Sequence, residues 1–194
     1  MMAATHRLGG IAAGTALAAM LKLEAGETGI LLAGAVLGSL LPDIDNRNST
    51  ISCKIPLFSL LVTAGQAVIR GISCLFPRKQ KNYIRSLIGH RGLTHSLIAA
   101  VLLPLPVAAV CLSAGFESIG KYAAVGLLGG ILSHLLFDML AGGAPLFMPF
   151  TTKRVVVAKI KTGGLVEWGF RMLLIAIFIY FGMEVIPWER LLHV

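Results

Sequence analysis

Four of the five histidines and all three aspartates of this chain stand at, or one turn inside, the ends of apolar blocks. His6 opens the first block, in Thr-His-Arg-Leu-Gly-Gly, and Asp43 and Asp45 close the second, in Leu-Leu-Pro-Asp-Ile-Asp. His90 and His95 precede a later block, in Gly-His-Arg-Gly-Leu-Thr-His-Ser, and His134 and Asp138 end another, in Ser-His-Leu-Leu-Phe-Asp. Neutral imidazole and ionised carboxylate are the ligands a divalent cation takes, and hydrolytic sites leave coordination positions open for water. His134 and Asp138, at i and i+4, share one helix face and suit a single ion. Asp43 and Asp45 suit a loop carboxylate pair able to bridge two ions. His90 and His95 are five apart, about 140° around a helix, so one belongs to a loop and the other to the start of a helix.

Each of these residues has an ordinary reading when taken singly. His134 can be a hydrogen-bonded packing residue, Asp43 a turn or cap, and His6 an incidental polar residue. Their joint placement favours a site. Cost points the same way: Asp138 lies among Leu135, Leu136, Phe137, Met139 and Leu140, and a charge there requires a cation, a hydrogen-bond partner or a proton.

The surrounding elements explain how such residues can meet. The chain has 194 residues, enough for one domain (1–194), with 56% hydrophobic and 13% charged residues and a mean hydropathy of +0.83. An average soluble domain carries about 25% charged residues, so disorder is excluded and a water-soluble globule is disfavoured. Six apolar blocks stand out: Leu8–Leu23, Thr28–Leu41, Ile55–Phe76, Leu97–Gly115, Tyr122–Leu140 and Gly169–Pro187. In the third, Ser59, Thr63, Gln66, Arg70 and Ser73 form one polar stripe at helical spacing, which predicts an amphipathic helix that does not cross but lies in the interface or presses its stripe against the bundle.

If the other five blocks cross, residues 1–7, 42–54, 77–96 and 142–168 share one side. With Arg171 that side holds thirteen of seventeen basic residues, making it cytoplasmic by the positive-inside rule. Glu24, Glu27, Glu117, Glu184 and Glu189 fall on the other side, whereas Asp43, Asp45, Asp138 and Glu167 fall with the basic face. The predicted fold is thus all-α: a multi-pass membrane helical bundle of about five crossing helices plus one amphipathic interfacial helix. A short β-hairpin or strand-like excursion is expected near 151–164, where Val155–Val157 favour strand. Met1–Met20 also has the make-up of a signal peptide, but cleavage would discard His6. Cys53, Cys74 and Cys111 form no CxxC pair and read as apolar packing residues.

Together, His6, the stretch Leu37-Gly-Ser-Leu-Leu-Pro-Asp-Ile-Asp45, His90-Arg-Gly-Leu-Thr-His-Ser96 and Ser133-His-Leu-Leu-Phe-Asp138 closely resemble the YdjM-like membrane-bound metal-dependent hydrolases. The likeness extends to the Leu-x-x-Pro-Phe turn ending at Phe150. It implies a helical membrane protein with hydrolase activity, distantly similar to the zinc-dependent phospholipases C. By that likeness His6, Asp43, Asp45, His95, His134 and Asp138 match metal-ligand positions, with His90 as a further one. One departure stands out: Ala141-Gly-Gly-Ala replaces a segment in which the family often carries a further polar residue.

The expected chemistry is hydrolysis by metal-activated water at the cytoplasmic headgroup level, with one to three divalent ions, zinc or manganese. Arg91, with Arg47, Lys153 and Arg154, suits an anionic substrate such as a phosphoester; its plainer reading is a structural partner of Asp43 or Asp45. Glu167 is a candidate base or ligand. Membrane lipids are the expected surroundings, and the lack of a stacking-aromatic pattern argues against nucleic acid. Two rival classes are a metal or proton transporter, whose site would lie nearer the bilayer midplane, and a non-enzymatic membrane adaptor.

Overall fold

A computed structural model describes residues 2–46, 49, 56–89 and 91–186. The elements among them are helical: α1 (Ala3–Met20), α2 (Ala25–Gly38), α3 (Pro56–Ile72), α4 (Arg78–Leu87), α5 (Leu97–Leu102), α6 (Leu105–Ser113), α7 (Glu117–Leu140) and α8 (Leu165–Val185). Short 3-10 turns cover Leu41–Asp45, Ser73–Leu75 and Leu93–His95. Among the described residues, three helical stretches are long and apolar enough to cross a membrane: Ala25–Asp45, Glu117–Leu140 and Leu165–Val185. The fourth apolar block is not one rod. Pro104 and Pro106 lack the amide protons an uninterrupted helix needs, and α5 and α6 meet at that break.

The centre of the bundle is the crossing of α2 and α7, where the two backbones touch. A Cβ on Gly38 would lie 2.2 Å from the Leu127 carbonyl oxygen, and one on Gly130 only 2.0 Å from that of Ala35. Gly34 and Gly38 on one helix, and Gly126 and Gly130 on the other, thus form facing small-xxx-small stripes of the kind that lets membrane helices approach closely. The α7 stripe continues at the same four-residue step into His134 and Asp138, so the glycines aim the chemistry-bearing face at the end of α2. Helix α1 packs on the same pair through Gly10, whose Cβ would meet both the Ala35 carbonyl and the Ser39 hydroxyl at 2.7 Å.

Helix α3 is turned inside out relative to a helix of a water-soluble protein. Thr63 and Gln66 of its polar stripe are half-buried, and the stripe's continuation Ser73 is buried, whereas Leu60, Leu61, Val68 and Ile72 are exposed. Most of the described stripe is therefore turned toward the protein, with Arg70 exposed, and the apolar face points outward. Cys74 and Cys111 are unpaired; Cys74 is exposed rather than packed, and Cys53 lies outside the described residues.

The 151–164 segment corrects the expectation of a β-hairpin. Among the described residues there is no strand, only two isolated antiparallel bridges, Ala141 with Lys159 and Ala144 with Val155. The segment runs back along the chain that leaves α7. The amides of Val157 and Ile160 donate to the carbonyls of Met139 and Leu140 at 3.0 and 2.8 Å. Those carbonyls belong to the last turn of α7 and have no partner within it, so Val157 and Ile160 cap a helix, while Val155 exchanges hydrogen bonds with Ala144 at 3.1 and 2.9 Å. The turn that makes this possible needs glycine: Gly142 and Gly143 have φ of 134° and 104°, which side chains with a Cβ rarely adopt. That requirement accounts for the Gly-Gly in the Ala141–Ala144 departure.

Candidate metal centre

Four separate pieces of chain bring the ligand types together. His6 comes from the first turns of α1, Asp43 from the 3-10 turn after α2, and His95 from the 3-10 turn before α5. His134 and Asp138 come from the last turns of α7. Pro42 sits in the first turn of the 3-10 segment and starts it. Ser96 fixes the start of α5, accepting the Ala99 amide at 3.2 Å and donating to the Leu93 carbonyl at 2.7 Å, and thereby sets the residue before it, His95.

These side chains form two overlapping groups with ligand atoms within 4.8 Å of one another: His6, His134 and Asp138, and Asp43, His95 and His134. His95 Nε2 is 3.5 Å from both Asp43 Oδ1 and Asp138 Oδ2. His134 Nε2 is 3.8 Å from Asp43 Oδ1 and 3.7 Å from Asp138 Oδ2, and His6 Nε2 is 3.9 Å from Asp138 Oδ1. Tetrahedral zinc with bonds of about 2.0–2.1 Å holds neighbouring donors roughly 3.4 Å apart, so the cluster has nearly the spacing a cation would impose. His6 and His134 stack with ring centroids 4.0 Å apart.

Burial sharpens the point. His6, His95, His134 and Asp138 are all 3% exposed or less. His6 Nδ1, His134 Nε2 and Asp138 Oδ2 are buried without a hydrogen-bond partner. Leaving a buried polar atom unsatisfied costs about 1–3 kcal/mol, and more when charged. A bound cation would satisfy His134 Nε2 and Asp138 Oδ2 together, so the residues fit one. The donors are nitrogen and oxygen with no thiolate, which suits zinc or manganese.

Outer partners orient the rings. His134 Nδ1 lies 2.7 Å from the Ser39 carbonyl oxygen; a carbonyl only accepts, so Nδ1 carries the proton and Nε2 keeps its lone pair for the cluster. Thr94 does the same for His95. Its hydroxyl donates to Asp45 Oδ2 at 2.9 Å and lies 3.0 Å from His95 Nδ1. Having one proton, it donates to Asp45 and accepts from Nδ1–H, which turns the His95 Nε2 lone pair toward Asp43 and Asp138. Asp45 is outside both groups, its Oδ2 3.9 Å from His95 Nδ1.

Arg91 pairs with neither Asp43 nor Asp45. Its Nη2 donates to Asp138 Oδ1 at 2.9 Å, from a backbone with φ of 57°. Glu167 also lies outside both groups. Fully buried, it takes the Met2 amide and the Thr5 hydroxyl on Oε1 and the Gly163 amide on Oε2, and Arg171 Nη2 is 3.6 Å away. It clasps the start of α1 to the start of α8, one residue from His6. His90 lies outside the described residues. Thr94 and the Ser39 carbonyl are the participants that sequence reasoning missed; Thr94 lies inside the quoted His90–Ser96 motif, but a main-chain carbonyl leaves no trace in residue type.

The comparisons with known proteins agree with this picture of a membrane protein. The family model described as YdjM inner membrane protein matches residues 1–191. The uncharacterized protein YvsG of Bacillus subtilis (strain 168) is 27% identical over 168 residues, 86% of this chain and 85% of the relative. No solved structure matches the chain, and the likeness to zinc-dependent phospholipases C is not shown by any of these comparisons. With the match running nearly end to end, the chain belongs to the YdjM inner membrane protein family.

Proposed function

We propose that this protein is a membrane-bound metal-dependent hydrolase whose single domain (1–194) cleaves a phosphoester or similar anionic substrate at the cytoplasmic face of a bacterial inner membrane. One observation carries the reading: buried imidazole and carboxylate atoms from four distant segments converge at ligand spacing, with lone pairs left over. His6, Asp43, His95, His134 and Asp138 would hold the ion, with Asp45 acting on His95 through Thr94. A divalent cation there supplies Lewis acidity and a water acidified toward neutral pH.

The chain's own residues supply the rest. The Asp43 side chain is 27% exposed and that of Arg91 22%, against 4% or less for His6, His95, His134 and Asp138, so these two form the open edge of the cluster. Arg91 holds Asp138 with one nitrogen and offers the remaining donors of its planar fork to a phosphate oxygen. Thirteen of seventeen basic residues on one side support the cytoplasmic orientation and the five-crossing topology.

Metal analysis of the detergent-purified protein, paired with a panel of phosphomonoesters and phosphodiesters, tests the reading. Stoichiometric zinc or manganese together with metal-dependent turnover is the expected result; absence of metal after purification with added zinc and manganese overturns it. The Thr94 bridge gives a finer check. Thr94→Val is expected to weaken metal affinity by about 10–100-fold, the usual cost of losing an outer partner, whereas Thr94→Ser keeps the hydroxyl and the affinity. Equal affinity in both variants, measured by competition with a chelating dye, removes Thr94 and Asp45 from the site.

A further inference from the structure

Charge is distributed in this chain in an unusual way. Residues 46–116 contain eight of the seventeen basic residues and none of the nine acids, so the net charge of +8 is the charge of this one segment. The rest of the chain is balanced.

Within the segment, α4 concentrates Arg78, Lys79, Lys81 and Arg85 in eight residues and buries none of them. Among the described residues no ion pair joins these cations to a carboxylate. Next to them, the outward face of α3 and its end is apolar: Leu60, Leu61, Val68 and Leu75 are each more than 60% exposed. The two surfaces are held side by side, because Arg85 Nε donates to the Ser73 hydroxyl at the end of α3 at 3.4 Å. Tyr83 ties α4 to the bundle by donating to the Pro149 carbonyl.

From this juxtaposition we infer that the α3–α4 unit is a docking surface for anionic phospholipid, with the α3 face seated at the acyl boundary and the α4 cations on headgroup phosphates. Charge complementarity selects that occupant. A second copy would bring the same uncompensated positive segment against this one. A nucleic acid would leave the apolar face of α3 in water. An anionic bilayer surface satisfies both halves, the pattern of an interfacial amphipathic helix rich in Lys and Arg. Each basic residue near such a surface strengthens engagement by about fivefold. The inference is independent of any metal chemistry.

The test uses the full chain in nanodiscs of phosphatidylcholine, with or without phosphatidylglycerol, and reads amide hydrogen exchange over residues 60–87. Exchange is expected to slow by more than about tenfold when phosphatidylglycerol is present, since two basic residues at that strength each already exceed it. The triple variant Arg78→Gln, Lys79→Gln, Lys81→Gln should lose the difference while α2 and α7 stay as protected as in the parent, which shows that the bundle is folded. Equal exchange in the two lipids, or a difference that survives in the triple variant, overturns the inference. Protection that tracks the number of copies per disc, or that added RNA produces in phosphatidylcholine alone, assigns the surface to another occupant and overturns it as well.

Discussion

Replacing His134 with alanine is expected to cost more metal affinity than any other single change in the chain. Its imidazole belongs to both ligand groups, and its Nε2 lies within 3.8 Å of carboxylate oxygens from Asp43 and Asp138. The Ser39 carbonyl at 2.7 Å presets the ring, so little orientation remains to be lost on binding. Loss of an outer partner alone lowers affinity by about 10–100-fold; loss of the shared ligand is expected to exceed about 100-fold on that scale. Competition against a chromophoric chelator measures it. Asp138→Asn is the companion variant, with the same shape and no charge. It should lose less metal affinity than His134→Ala but also lose stability, because Arg91 keeps its charge while Asp138, 2.9 Å away, gives up its own. Arg91 is partly open to solvent, so the loss is that of one charged hydrogen bond, about 1.5–3 kcal/mol, which His134→Ala does not incur. Wild-type affinity in His134→Ala would make the imidazole a packing residue and end the metal reading.

The second large effect is expected at Gly130. An added methyl there meets the Ala35 carbonyl at 2.0 Å and the Ser39 amide nitrogen at 2.7 Å. Both are backbone atoms of or beside α2, so no side-chain rotation relieves the clash. Forcing even one extra carbon into a packed interior costs about 1–3 kcal/mol, and more where nothing can move aside. Gly130→Ala should therefore lower the unfolding midpoint and loosen metal binding together, since parting α2 from α7 also parts Ser39 from His134. Gly29→Ala is the control on the same helix pair, with nothing within 4 Å of the new carbon. It should leave both quantities unchanged or raise stability slightly through helix propensity. A Gly130→Ala protein as stable as the parent would refute the backbone-contact account of the crossing.

Much of the centre is legible in the sequence because its residue types are rare in such surroundings. Asp138 among five apolar neighbours demands a partner, and the four-residue step to His134 names one. His6, Asp43 and His95 follow once block ends are assigned to a common face. The finer roles are not legible. Asp45 has the same residue type and almost the same position as Asp43, yet a threonine stands between it and His95; spacing alone cannot distinguish a ligand from a partner one atom further out. Glu167 follows a Gly-Gly turn on the basic side and so looks available for chemistry, but its oxygens are taken by the amides and hydroxyl that begin α1. The valines at 155–157 show strand propensity, which reports a fit to an extended half-buried backbone rather than a sheet; here the extended chain caps a helix. The fourth apolar block contains the same kinds of residue as a crossing helix, and two prolines divide it.

The contact between Ser39 and His134 has a consequence for how many ions can be accommodated. A ring nitrogen already committed to a main-chain oxygen leaves the imidazole a single electron pair to give, and that pair cannot be divided. Whichever of the two overlapping triplets captures it leaves the other with only two protein donors. The triplets would therefore compete for one cation as far as His134 is concerned, and Asp138, with one oxygen toward His6 and the other toward His95 and His134, is the carboxylate that would serve both.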